Sequence, residues 1–469
     1  MEKLTRKYGL VTAICMVVGT VIGSGVFFKG AKVLTQTGGN MTLGILAWAL
    51  TGIVMLFCAL QFSVMATKYE KVSGVVDYAE ATCGKRYAYY LAWFLVNIYY
   101  PAMTSVLAWV SARYFGEMVG WSNVGPEVMT LAGAFLIGVY AMNALAPKLA
   151  GIFQTSATFI KLVPIVLMAV VGSIVGLFNG TLATNVTSLL PEGDSITFGG
   201  GLFAGVVASV FAYEGWICAT SINAELKDPK KNLPIALVIG STVVIIAYVL
   251  FNIGLGGGAS LGVLATDDGV YVSFRNIFGS VAGTLLNICI VVSCLGTLNG
   301  LMMAETRGMY ALAVRNEGPN PKLFIQIDKE TNATSNSAVY GLLITVFWLL
   351  YFYGANLTNG WFGLFNFDSS ELPIITIYAM YIPMFIIWMK SEKKMGTFKR
   401  FVLPILAIIS CLFMVFAAVY AHGVIPFNDA KLVGKFSFPV LFYLIVFAVI
   451  MGIGVIFDLA KKKNKTQDE

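Results

Sequence analysis

Charged side chains are scarce in this sequence. Asp, Glu, Lys and Arg make up 12% of 469 residues, against 58% hydrophobic, and the mean hydropathy is +0.80. A water-soluble domain is about one-quarter charged, and so few polar groups could not cover so much apolar surface. That excludes an ordinary soluble chain and leaves lipid as the consistent solvent. Histidine occurs once, at His422, so no histidine-based metal cluster can be assembled. The seven cysteines (Cys15, Cys58, Cys83, Cys218, Cys289, Cys294 and Cys411) form no CxxC pair. Their number is odd and each lies in an apolar run or in the segment 68–86, which supports neither a disulfide framework nor a zinc site. There is no HExxH and no phosphate-binding P-loop. The single GxSxG string, Gly258-Ala259-Ser260-Leu261-Gly262, follows an apolar run rather than a strand and reads as a flexible loop.

What is present is a series of long apolar runs. About 30 Å of hydrocarbon needs roughly 20 helical residues at about 1.5 Å each. Runs bounded by Gly, Pro, Asn or Lys clusters predict twelve spans: 8–34, 41–67, 87–119, 127–147, 151–178, 199–225, 234–257, 279–313, 337–356, 362–389, 401–422 and 437–459. Those longer than the minimum imply tilt or breaks. The run from Tyr8 is too long for the core of a signal peptide and is read as the first span. With the N-terminus inside, most of the 31 Lys and Arg residues fall in inside segments. Lys29, Lys32, Arg275, Lys431 and Lys435 lie outside, and Arg113, Lys161 and Arg307 lie within spans. The bias predicts that both termini are cytoplasmic, by the positive-inside rule, and accounts for the net charge of +7 without nucleic acid.

Two spans carry features that weaken a helix. The first contains Gly19-Thr20-Val21-Ile22-Gly23-Ser24-Gly25, and glycine costs about 1 kcal/mol against alanine inside a helix. The sixth contains Phe211-Ala212-Tyr213-Glu214-Gly215-Trp216, preceded by Gly199, Gly200, Gly201 and Gly205. These are equivalent members of two five-span halves, and interrupted spans at corresponding places point to a transport site. Unwound backbone offers free N–H groups to a carboxylate and free C=O groups to an ammonium, so one amino-acid backbone satisfies both. The competing reading is that the glycines only let helices approach closely.

Ionisable residues within spans need a partner or a water-lined environment. Lys161 must snorkel to the surface, pair, or bind carbonyls in a polar cavity. In the last case it is a fixed ammonium standing in for a coupling cation beside the first span. Glu214 reads as a substrate contact, a proton acceptor or a polar plug. Asp368 and Glu371, followed by Pro373, begin the deeper part of span ten and read as facing the outer vestibule or as simply solvated at the span's edge. Arg307 with Glu305 reads as a structural polar cluster near the cytoplasmic end of span eight, and Arg113 as an interface anchor. Among the aromatics, Phe211 alone has a position that suggests a gate.

Four stretches then acquire meaning together: GTVIGSGVFFKGAKVL in span one, FAYEGW in span six, NAELKDPKKNLPIAL (Asn223–Leu237) after it, and SCLGTLNGLMMAETRGMYALAVRNEG in span eight. In this order and spacing they resemble the amino acid–polyamine–organocation superfamily, over about residues 8 to 390. Gly-Ser-Gly with Phe-Ala-Tyr-x-Gly-Trp is most similar to its L-type amino acid transporter branch, near the bacterial alanine–serine–cysteine and serine–threonine exchangers. The resemblance implies an all-α LeuT-type fold in one transporter domain. Residues 8–178 and 199–389 would be inverted repeats with helices one and six discontinuous, 401–459 two additional helices, and 460–469 a cytoplasmic tail.

The resemblance also implies roles. Backbone groups of Gly23, Ser24 and Gly25 would hold a substrate carboxylate. Carbonyls of Val21, Ile22, Phe211, Ala212 and Glu214 would receive the ammonium, and Phe211 would cover the substrate from outside. Lys161 matches the family's span-five lysine, which stands where sodium-coupled relatives hold a sodium ion. It would link the broken first span to span eight, with Ser293 as candidate partner, and Tyr248 resembles a span-seven tyrosine near this region. The implied activity is sodium-independent transport of small neutral L-amino acids (alanine, serine, threonine, cysteine) across the cytoplasmic membrane by alternating access, as an exchanger. Proton-coupled symport through Lys161 or Glu214, and antiport of acidic amino acids or amines, are the alternatives. No enzymatic activity, cofactor or metal is expected, and the partners are the amino acid and the bilayer. Animal members carry glycine where this chain has Glu214. They also use a cysteine between spans three and four for a disulfide to a glycoprotein; Gly120–Pro126 has none, so no disulfide-linked subunit is expected. The stretch VSGVVDYAEATCGKRYAY is a divergent version of the family's Gly-rich cytoplasmic sequence.

Overall fold

The computed structural model describes residues 9–69, 74–188, 198–216, 226–328, 333–358 and 360–467. Among these, ten helices are long and apolar enough to cross a membrane. Leu10–Val21 and Gly25–Gln36, bent by 48° at their junction, form an eleventh span when counted together. The expected sixth span appears as the shorter apolar helix Gly199–Tyr213. Its expected continuation through 217–225, with Cys218, lies outside the described residues.

Helix boundaries follow local chemistry. Span two, Met41–Lys68, starts where the Asn40 side chain accepts a hydrogen bond from the Leu43 amide at 2.9 Å. Its 28 residues measure about 42 Å, so it must cross the bilayer tilted. Span three ends at Gly120, which is left-handed, and span four starts at Pro126. Two expected boundaries are corrected. Span eight starts at Gly269, and its run is kinked at Gly279, where the expected span began. Span ten starts at Leu372 rather than 362. Gly360 and Gly363, both at positive φ, turn the preceding segment, so Asp368 and Glu371 lie in the chain leading into the helix.

Span seven packs along spans two and one, and span eight along span three. Span three is buried along most of its length, so it forms the centre of the molecule. The periphery carries exposed Ile152, Phe159, Leu177, Phe347 and Ile456. Apolar outside and closely packed inside, this is an integral membrane protein.

Candidate cavity between the broken spans

The first span stops at Val21 and restarts at Gly25. Ile22 leaves the helix with φ −64° and ψ 106°, and the new helix opens with Phe27 N–H donating to Ser24 O at 3.0 Å. Opposite it, span six tightens into a single turn at Val210–Tyr213 and then extends at Glu214. The two breaks touch. A Cβ on Gly25 would lie 2.4 Å from Ala212 Cα, and one on Gly215 would lie 2.5 Å from Thr20 O. Gly215 also has φ +100°, which only glycine adopts readily. Tyr248 joins the breaks: its hydroxyl is 3.0 Å from Val21 O and 2.9 Å from Ala212 O. Trp48 and Tyr213 pack against its ring, and the Tyr213 hydroxyl donates to Trp48 O at 2.8 Å.

Lys161 does not snorkel. It is buried, and its ammonium donates to the Gly19 carbonyl. That carbonyl would accept the residue 23 amide in a continuous helix; because the helix ends at Val21, it is left open. The expected pairing of Lys161 with Ser293 is not formed. Ser293 is buried with no hydrogen-bond partner for its hydroxyl among the described residues. The carbonyl freed by the break captures the ammonium instead.

Between the breaks lies a cavity. Val21, Gly23, Ser24, Gly25, Lys161, Phe211, Ala212 and Glu214 all line it; Ile22, Tyr248 and Ser293 do not. Sequence reasoning missed Tyr99, Met103 and Leu107 on span three, Gln154 on span five, and Thr297 and Leu301 on span eight. Tyr99, Met103 and Leu107 follow one another at i, i+4 and i+8, a single helical stripe. Tyr99 closes a π-helical turn, Leu95–Tyr99, and its hydroxyl donates to Glu214 Oε2 at 2.6 Å. Glu214 Oε1 is buried and makes no hydrogen bond among the described residues, although Tyr378 approaches the carboxylate.

The cavity is roofed by Phe211, which is 8% exposed and meets Phe28 edge-on at 5.1 Å. Above this lid Asp368 lines an outer cavity with Lys29, Lys32 and Ser370, as a vestibule residue would, whereas the expectation of a solvated Glu371 fails. Glu371 is buried and accepts from Lys29 at 2.6 Å and Lys32 at 2.7 Å, while Asp368 takes Lys32 at 2.5 Å. The cations that neutralise them come from span one, and of the two carboxylates only Glu371 is fully withdrawn from solvent. Arg113 is likewise no interface anchor: it is buried against Glu117 at 2.7 Å and Asp267 at 3.4 Å. Arg307 and Glu305 separate. Glu305 is buried and accepts from the Thr345 hydroxyl, while Arg307 is exposed, since residues two apart on a helix do not share a face.

Comparison with known proteins gives the same direction. The chain is 27% identical to the serine/threonine exchanger SteT of Bacillus subtilis over 408 residues, which is 86% of this chain and 87% of that one. It is 25% identical to the b(0,+)-type amino acid transporter 1 of Mus musculus over 424 residues, 89% of this chain and 84% of the relative. Its fold is similar to that of MhsT, solved in complex with L-phenylalanine, with a TM-score of 0.56 over 90% of this chain and 100% of that one at 14% identity. That likeness carries the fold alone, which is LeuT-type. These relatives are transporters rather than enzymes. The family model described as amino acid permease matches residues 8–457, and the chain belongs to that family.

Proposed function

We propose that this protein exchanges small neutral L-amino acids such as serine, alanine, threonine and cysteine across the cytoplasmic membrane without sodium. Transport proceeds by alternating access, with the basic loops and both termini on the cytoplasmic side. The observation that carries this reading is the Lys161 ammonium on the Gly19 carbonyl in the cavity wall. A cation is built in beside the broken helix, so none has to be taken up with the substrate. The substrate carboxylate would be received by backbone N–H groups of Gly23, Ser24 and Gly25, in the manner of anions at helix N-termini. Its ammonium would meet the carbonyls of Phe211 and Glu214, because Ile22 does not line the cavity and the carbonyls of Val21 and Ala212 already share the Tyr248 hydroxyl. Residues 8–178 and 199–389 would act as the two inverted repeats. Exchange results when the empty carrier reorients slowly, and the named exchanger among the relatives supports it.

A second reading rests on Glu214. An unpartnered carboxylate oxygen in a cavity wall would also be satisfied by the ammonium of an amine or a cationic side chain. One assay separates the two: radiolabelled serine uptake into sodium-free proteoliposomes, with and without internal serine, challenged by excess lysine or a simple amine. Uptake that requires internal serine and ignores the cations is the expected result. Equal uptake into empty vesicles driven by a proton gradient would replace exchange by symport, and strong inhibition by the cations would promote the second reading.

A further inference from the structure

We infer that His422, the only histidine in the chain, is a working part of the gate above Phe211, and that its protonation releases that gate. His422 lies on span eleven in a π-helical turn, Tyr420–Val424, and its Nε2 is 3.0 Å from Glu371 Oε2. The other oxygen of Glu371 takes both lysines of span one, Lys29 at 2.6 Å and Lys32 at 2.7 Å. Lys29 also donates to Ser370 Oγ at 2.8 Å, which in turn donates to Asp368 Oδ1 at 2.5 Å. The Lys29 ammonium stands 5.3 Å and 5.7 Å from the ring centroids of Phe28 and Phe211. The cluster therefore rests on the aromatic lid of the cavity and ties span one to the lead-in of span ten and to span eleven.

With His422 neutral, two lysines balance two carboxylates. Among the described residues no other charge faces the imidazole closely. Asp429 and Lys431 on the following helix are exposed, and Tyr443 of span twelve is hydrogen-bonded to Thr376 at 2.6 Å. Leu403–Val419 brings only Cys411, turned toward Cys58, and Phe198–Ser209 brings no titratable side chain. An imidazole changes charge between about pH 5 and 8. Once protonated, it leaves the cluster with one positive charge in excess. Glu371 then keeps a cationic partner on its own side, because span ten packs along span eleven. The two lysines lose part of their attraction, and they ride on the half of span one that lies beyond its break. Acid on this face therefore favours opening.

The inference assumes alternating access but not a particular substrate, and its test can be run without one. Hydrogen–deuterium exchange of residues 25–36 would be measured on the full-length protein in nanodiscs, at about pH 8 and about pH 5, the two ends of the imidazole range, with intrinsic exchange rates corrected. Protection should fall severalfold at the lower pH in the wild type. It should not change in H422Q, whose amide still donates to Glu371. In proteoliposomes with fixed internal pH, lowering the pH on the gate side should raise the wild-type exchange rate and leave H422Q flat at its higher-pH rate. Unchanged wild-type protection, or an H422Q profile that follows the wild type, would overturn the inference. Loosening that is lost in H422Q, in a protein that carries no serine, would sustain the gate and overturn the exchange reading instead.

Discussion

At Gly19 the backbone carbonyl has lost its helical donor, and a buried acceptor without a partner costs about 1–3 kcal/mol. Lys161 removes that cost while paying the desolvation of its own charge. Replacing it with methionine, close in length and apolar, deletes both terms together. The melting temperature of Lys161→Met should therefore move little. Transport should fall at least about tenfold, since a hydrogen bond to a charged group is worth roughly 1.5–3 kcal/mol and the cavity loses its only fixed cation among the lining residues. Exchange rate and thermal melting measured on the same preparation check this; a large drop in melting temperature would make the lysine structural. Lys161 and Glu214 were legible in the sequence because a charge in an apolar run is conspicuous. Their partners were not. Lys29 and Glu371 are 342 positions apart, and no local pattern announces which charge will meet which, so the sequence leaves Glu371 in solvent and Arg113 as an interface anchor. Ser293 is named by the family resemblance alone, which places a partner on span eight but not which acceptor a flexible ammonium will choose.

At the scale of the helix, the breaks in spans one and six were readable because glycine lowers the cost of unwinding wherever it stands. Their contact was not readable, and it gives the two glycines of the second half of span one different burdens. A Cβ on Gly25 meets the Ala212 backbone at 2.4 Å, whereas one on Gly30 finds only Asn252 Oδ1 at 3.5 Å. Gly25→Ala should push spans one and six apart, costing about 1–3 kcal/mol as overpacking does, and should abolish exchange. Gly30→Ala should melt at or slightly above the wild type and keep its exchange rate. Equal tolerance at both positions would show that the breaks do not stay in contact. Span ten shows where reading a run fails. The segment 362–371 opens with apolar Phe362, Leu364, Phe365 and Phe367 but ends in Asp368, Ser369, Ser370 and Glu371; two glycines at positive φ precede Pro373, and the helix waits for the proline to start it.

Across the whole molecule the two faces are held unequally. On the face of the basic loops, Arg315 meets Asp77 at 2.6 Å and Glu80 at 3.0 Å, and Lys68 meets Glu392. Arg315 and Lys68 are 22% and 42% exposed, and pairs open to solvent are worth about 0–1 kcal/mol each. On the opposite face Lys29 and Glu371 are buried over the Phe28–Phe211 lid, where screening by salt is weak, while Lys32 of the same cluster stays 35% exposed. The cavity also leans toward the basic face. Gln154 and Leu301, which line it, lie within about two turns of Lys148 and Glu305, where spans five and eight reach that side. The resting protein should therefore admit a reagent from the basic face before the other. A membrane-impermeant thiol reagent should modify Leu301→Cys, above the background of the native cysteines, from the side on which trypsin cuts the lysine-rich segment 390–400. Added substrate should slow that reaction by occupying the cavity. Modification only from the opposite side would mean that the buried cluster is not the stronger closure, because the charges that shut that face would then be opening ahead of the exposed pairs on the other.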